Sequence, residues 1–221
     1  MSCPASIRLC ADLPEQTTGS AAAAGTVMHT AFERSLLGQG TLTSDEIEAL
    51  AELDVGESKA TKIVDQAVTA ARKLLLRYDI SEFLTEQRVD PGELMERDDF
   101  WGTADLIGAN EATNTLLIAD LKTGRGRVDP QYNEQMLSYG VGSLSLIDFE
   151  PQRVVLAIIQ PPLLGDSAAI WEADAVTLRE FMVFAATKAA LTDDPNEQPT
   201  PSGPACQWCP AKQICPAHKS N

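Results

Sequence analysis

The spacing of apolar residues changes partway along this chain, and that change limits the folds open to it. From residue 21 to residue 78 the apolar positions recur at helical spacing. The stretch 21–37 sets Val27, Ala31 and Leu36 roughly on one face beside Ala24 and Met28, and Gly38 and Gly40 end it. A second, acidic helix is predicted from Thr43, where Thr43-x-x-Glu46 has the form of a capping box. A third, over 58–78, directs Ile63, Ala67, Ala70, Leu74 and Tyr78 inward. Beyond it the pattern alternates. Segments 82–89, 100–108 and 115–122 read as strands, the last two separated by the turn-rich 109–114. Helical spacing returns over 129–145, a β-branched strand over 153–160 stops at Pro161-Pro162, and a last helix covers 177–191. Residues 1–20 read as irregular. Helices, three strands, helix, strand, helix and a Cys-rich tail make an α/β fold with a mixed central sheet flanked by helices. We expect one domain over 1–221. Its N-terminal helices span 21–80, its sheet and helices 81–192, and its cysteine-rich region 193–221 together with Cys3.

Charge and hydropathy narrow the function. There are 17 Lys+Arg against 32 Asp+Glu, a formal charge of −15, which opposes wholesale attraction to nucleic acid. A nucleic-acid role therefore needs a locally basic site, or cations that offset the carboxylates. The strongest apolar run, 154–159, is far short of the ~20 residues of a bilayer span. The N-terminal MSCPASIRLC has no apolar h-region, so no secretory signal is expected and the chain is read as cytoplasmic. In that compartment five cysteines are more readily metal ligands than disulfides. No G-x-x-x-x-G-K-[ST] occurs, so no ATP-driven motor is expected.

Asp120-Leu121-Lys122 closes the third strand. Side chains alternate along a strand, so Asp120 and Lys122 share a face and Leu121 takes the other. A carboxylate beside an ammonium can hold a metal and steer a water or a phosphate; an ordinary surface ion pair has the same sequence. Asp105, flanked by apolar residues on the preceding strand, is expected to be half buried and to need a partner, which a divalent cation supplies. Two carboxylates from adjacent strands with a backbone carbonyl suit Mg²⁺ or Mn²⁺. His29, as a further ligand, shifts the preference towards Mn²⁺; as a satisfied core histidine it does not. Glu86 on the first strand either faces the same cleft or is a solvated carboxylate. Gln135-x-x-x-Tyr139 puts two hydrogen-bonding groups on one helix face, able to contact a nucleotide or to orient Lys122. Lys122, Arg125 and Arg127, in a Gly-rich loop, are the densest basic spot in the chain and a place for phosphates.

Cys206-x2-Cys209-x5-Cys215 brings three thiols together, with Cys3 and Cys10 the other candidates for a fourth. Four thiolates hold Zn²⁺ or an iron–sulfur cluster, and spacing does not choose between them. Trp208 and His218 are expected to pack around that centre.

Taken in order, these residues resemble the PD-(D/E)XK nuclease superfamily. The likeness is nearer to its RecB-like iron–sulfur exonuclease branch, which includes the AddB nuclease domain, CRISPR-adaptation nucleases and small phage- and prophage-encoded members. The resemblance runs from Cys3 to Cys215. It implies a restriction-endonuclease-like core, with a cysteine-rich tail closing onto the N-terminus. It implies catalytic roles for Glu86, Asp105, Asp120, Lys122, Gln135 and Tyr139. Mg²⁺ or Mn²⁺ would be held by His29, Asp105, Asp120 and the Leu121 carbonyl. A 4Fe–4S cluster would sit on Cys3, Cys206, Cys209 and Cys215, with Zn²⁺ as the alternative occupant and Cys10 surplus. Arg125 and Arg127 would contact DNA. The implied activity is metal-dependent exonucleolytic cleavage of DNA in phage or bacterial recombination, repair or replication. The alternative is a module that holds DNA ends, or recruits a single-strand-binding protein or a recombinase, without cutting.

Overall fold

A computed structural model describes residues 3–14, 19–200, 203 and 205–219. The chain divides into two compact units, residues 18–179 and residues 1–17 with 180–221.

The larger unit holds a five-stranded sheet in the order β1 (Phe83–Val89), β2 (Gly102–Asn110), β3 (Thr115–Leu121), β4 (Arg153–Ile159) and β5 (Ala168–Ala173). β3 and β4 pair in parallel and every other neighbouring pair is antiparallel, so the sheet is mixed. β3 is buried at every position and β4 at every position but Arg153. Strands covered on both faces read as continuous apolar runs rather than alternations. Leu117, Ala119 and Leu121 of β3, with Val155, Ala157 and Ile159 of β4, join a core made with α2 (Ser20–Leu36) and α4 (Glu57–Arg77). On the other face lies α5 (Glu134–Ser143). There Gly140 leaves room for Leu178 and Leu156: a Cβ on it would come within 2.9 Å of Leu178 and 3.8 Å of Leu156.

Local chemistry sets the helix ends. Thr43 and Glu46 form the expected capping box at the start of α3 (Ser44–Glu52), and Arg34 of α2 reaches Glu46 from across the packing. The faces predicted for α2 and α4 are the buried ones. The helix expected over 129–145 starts only at Glu134. Pro130 precedes it, Tyr132 has φ +52°, and Asn133 accepts from the N–H groups of Gln135 and Met136 as the N-cap. β5 is an addition to the predicted strands. Its Ala168-Ala169 start gives little strand signal, because alanine is depleted in strands. Short α6 (Pro161–Leu164) follows β4, and α7 (Ala175–Thr192) follows β5.

In the smaller unit, part of the segment read as irregular forms α1 (Ser6–Cys10). 3₁₀ turns at Cys206–Trp208 and Pro210–Gln213 lead to α8 (Pro216–Lys219). Among the described residues, no helix is long and apolar enough to cross a membrane.

Leu156 is fully buried in β4, whereas Leu76 projects from α4 with 84% of its surface exposed. Leu156→Ala should therefore lower stability by about 2–5 kcal/mol, and Leu76→Ala by no more than about 0.5 kcal/mol. Urea unfolding followed by far-UV circular dichroism measures both.

Candidate metal and phosphate site

The site forms where two strands turn over. Phe83 packs against the α2/α4 core, and the Thr85 hydroxyl donates to Glu33 of α2 at 3.0 Å. Four residues further along β1, Val89 faces the opposite layer, where a Cβ on Gly142 of α5 would lie 2.9 Å from its own Cβ. Residues of one parity in a regular strand share a face, so β1 has reversed its faces between Thr85 and Val89. Glu86, at φ +46°, is where this happens. β2 does the same: Leu106 joins the α2/α4 core, while Gly102 abuts the Tyr139 ring of α5, which a Cβ would meet at 2.6 Å. The register passes from Thr85↔Leu106 to Gln87↔Ala104 with no pair at Glu86 and Asp105. This break leaves one unpaired residue on each strand without shifting the register, and it re-aims both carboxylates.

The β2–β3 ladder stops at Leu106↔Ala119. Beyond it, the Leu121 N–H donates to Asp105 Oδ2 at 2.6 Å, a side chain taking the place of a strand. The other oxygen, Asp105 Oδ1, lies 3.0 Å from His29 Nδ1, and Glu86 Oε1 lies 4.0 Å from that nitrogen. Among the described residues, His29, Glu86 and Asp105 are the one trio whose ligand atoms fall within 4.8 Å of one another. Glu86 thus faces the cleft, which the sequence left open. Asp120, expected as a ligand beside Asp105, stands outside that trio. The Leu121 side chain is in the core.

Asp120 is buried, and its Oδ2 has no hydrogen-bond partner. Lys122 Nζ lies 2.9 Å from that oxygen but off the hydrogen-bonding angle, so the oxygen has a neighbouring charge without a directed bond. The ammonium instead donates to Gln135 Oε1 at 2.9 Å, and Gln135 Nε2 donates to the Tyr139 hydroxyl at 2.7 Å. The Gln135–Tyr139 pair therefore orients Lys122.

The electrostatics describe a site short of positive charge. Burial and the Asp105 charge raise the Asp120 pKa above its ordinary 3.8. Burial and the same neighbour raise Glu86 above 4.5. Burial disfavours the His29 imidazolium, but the hydrogen bond and charge of Asp105, with the charges of Asp120 and Glu86, outweigh it and raise His29 above 6.5. The protonated imidazole does part of what a cation would do. Three oxygen-bearing side chains, one imidazole and an unsatisfied buried carboxylate oxygen fit Mg²⁺ or Mn²⁺.

Sequence reading gave Gln160, at the end of β4, no role. It is buried, its Nε2 donates to the carbonyls of Gly124 and Gly126 at 2.9 and 2.7 Å, and its Oε1 accepts from Val128 N–H at 3.2 Å. It pins the loop on which Arg125 and Arg127 stand exposed. The polar residue ending an otherwise apolar run was the available signal. Glu33, bonded to Thr85 and four residues after His29 on α2, was also missed; its i,i+4 spacing from His29 was the signal.

In the smaller unit, all five cysteines line one cavity of about 470 Å³. All are half-buried and free of disulfides. The Thr200 N–H donates to Cys3 Sγ at 3.4 Å, and the Ser6 hydroxyl to the Cys3 carbonyl at 2.6 Å. Burial raises the Cys209 thiol above its ordinary 9.0, with Cys10 and Cys206 adding to the effect through contact and charge. Cys10, read as surplus, therefore lies against Cys209. Trp208 and His218 line the cavity but are exposed, Trp208 by 78%, rather than packed around its centre.

With ions removed by EDTA, the raised carboxylate pKa values make the folded state lose stability as pH rises above their unfolded values, near 4. The raised His29 value acts in the same direction: its contribution is whole below about 6.5 and fades as pH climbs through the folded value. Asp120→Asn removes one such cost. Its melting temperature should exceed that of the unsubstituted chain by a margin that is small near pH 4 and widens towards pH 8. A margin independent of pH would contradict the charge argument.

A solved structure, SSO0001, is similar over 97% of this chain and 95% of its own, at TM-score 0.38 and 14% identity. The family described as "Protein of unknown function (DUF2800)" matches residues 1–221, and this chain belongs to that family.

Proposed function

We propose that this protein is a divalent-metal-dependent DNA exonuclease of the PD-(D/E)XK, RecB-like type, built on a restriction-endonuclease-like core. The observation that carries the reading is Asp120 Oδ2, buried without a hydrogen bond beside Lys122, next to the His29–Glu86–Asp105 cluster. Such an arrangement is costly for a fold to keep unless a cation completes it.

His29, Asp105, Asp120 and the Leu121 carbonyl, with Glu86 alongside, would hold Mg²⁺ or Mn²⁺. The ion would polarise the phosphoryl group and lower the pKa of the attacking water. Only the neutral imidazole of His29 could ligate, so ion binding would compete with its protonation. Lys122, steered by Gln135, orients the water or meets the charge that builds on the phosphoryl oxygens. Tyr139 holds Gln135 in place. Arg125 and Arg127, presented by the loop that Gln160 pins, neutralise phosphates of the bound strand.

Cys3, Cys206, Cys209 and Cys215 would hold a 4Fe–4S cluster in the smaller unit, their thiols being half-buried around one cavity. Its role would be structural, because phosphodiester hydrolysis moves no electrons.

Asp120→Ala and Lys122→Ala should each slow Mg²⁺- or Mn²⁺-dependent digestion of end-labelled linear DNA by at least about 100-fold while the circular dichroism stays unchanged. Full digestion by either variant would overturn the mechanism, and DNA binding without any cleavage by the unsubstituted chain would favour a non-cutting module. Comparing linear with circular substrates tests the exonucleolytic assignment. The purified protein should be brown, and Cys206→Ser should lose both colour and iron; a colourless, zinc-loaded protein would replace the cluster with zinc.

A further inference from the structure

Trp101 stands at the head of β2 with 54% of its surface exposed. The Arg88 guanidinium lies over its ring, 4.3 Å from the centroid. Arg88 is fixed in turn. Its Nε donates to Asp90 Oδ2 at 3.0 Å and its Nη2 to Asp90 Oδ1 at 2.8 Å. Two side chains, Arg88 and Asp90, thus hold one indole in place on an exposed surface. An aromatic fixed before any ligand arrives loses little further freedom on binding one.

The position of this platform ties it to the carboxylates. Arg88 pairs with Thr103 in the β1–β2 ladder, so Arg88 and Trp101 are diagonal neighbours on one face. Arg88 is two residues from Glu86, and Trp101 is four from Asp105. At about 3.3 Å per residue the indole lies roughly 13 Å along the strand from Asp105. Gly102, next to Trp101, abuts Tyr139, which bonds Gln135, which holds Lys122. One short run of contacts joins the indole to the ammonium.

The chemistry selects the ligand. Asp90 offsets the Arg88 charge through two hydrogen bonds, so the platform offers an aromatic face rather than a bare cation. A phosphate gains little there, whereas a flat heteroaromatic ring gains stacking on indole backed by guanidinium. Bases inside a duplex have both faces covered by their neighbours; unpaired bases do not. We infer that Trp101, supported by Arg88 and Asp90, is the stacking platform for an unpaired base of single-stranded DNA whose backbone runs past Glu86, Asp105 and Asp120. The inference rests on the hydrolytic reading of that site and deepens it by naming the substrate as a single strand.

The test is equilibrium binding of the full chain to a fluorescein-labelled oligothymidylate and to a duplex of equal length, with Ca²⁺ in place of Mg²⁺. Trp101→Ala should weaken single-strand binding by about 5- to 150-fold, the worth of one base–aromatic stack. Duplex binding should stay within about twofold, and Trp101→Phe should keep most of the single-strand affinity. Single-strand binding unchanged in Trp101→Ala, equal losses on both substrates, or no single-strand binding by the unsubstituted chain would each overturn the platform. If Trp101→Ala melts early, Trp101→Leu against Trp101→Phe decides: loss in Leu alone supports stacking, and equal behaviour refutes it. The two proposals fail separately. Trp101-dependent binding by a chain that cuts nothing removes the hydrolysis and keeps the platform. Cleavage with binding indifferent to Trp101 does the reverse.

Discussion

Three carboxylates converge in the larger unit: Glu86 and Asp105 from the middle of β1 and β2, and Asp120 from the end of the fully buried β3. This concentration of negative charge is the constraint around which the larger unit is arranged. Like charges in a poorly solvated place repel strongly, and each nearby feature answers that repulsion. The Leu121 N–H turns to Asp105. His29 takes a proton more readily than a free imidazole does. Lys122 comes within 2.9 Å of Asp120. One buried oxygen is still left without a hydrogen bond. That cost, borne at one point of a closely packed unit, is what the proposed cation would offset.

The backbone takes part in the same arrangement. A strand with regular alternation would send Glu86 and Asp105 to fixed faces of the sheet. The left-handed φ at Glu86 breaks the alternation, and both β1 and β2 reverse which layer they face on either side of it. Strain of this kind persists only where surrounding structure enforces it. Here the enforcement comes from both layers: Thr85 bonded to Glu33 on one side, and Val89 against Gly142 on the other. The reversal also puts Arg88 and Trp101 together on one face, so the aromatic platform and the aimed carboxylates follow from the same break.

Much of this was legible in the residues. The change of period located four of the five strands, because β3 and β4 are long apolar runs and because Pro161-Pro162 stops β4 without ambiguity. Asp120 and Lys122 sharing a face, with Leu121 turned into the core, followed from strand alternation. The Lys122–Gln135–Tyr139 chain was one of two readings that helical spacing allowed. What escaped depends on contacts that have no local signature. β5 opens with alanines, whose strand tendency is weak. The reversal at Glu86 needs a positive φ in a residue that rarely takes one, so nothing in its neighbours announces it. Gln160 acts on Gly124 and Gly126, 36 and 34 residues away in the chain. Cys10 comes near Cys209 from the opposite end of the sequence, a proximity that local spacing cannot show.

The formal charge of −15 sits uneasily with a nucleic-acid substrate only if charge is treated as a single sum. At physiological ionic strength the field of an exposed charge fades over about 8 Å. The acidic first turn of α3, Asp45 and Glu46, is partly capped and partly paired with Arg34, and a solvated carboxylate there does little at the β3 terminus. What a strand would meet on arrival is the exposed Arg125 and Arg127, on a loop that Gln160 holds by two carbonyls and one N–H, and then Lys122. Asp105 and Asp120 behind them are buried, and any cation they held would reverse their effect on an approaching phosphate. Local geometry, not net charge, therefore decides whether this surface attracts a polyanion. It also explains why a buried glutamine that touches no charged group matters to the charge that the loop presents.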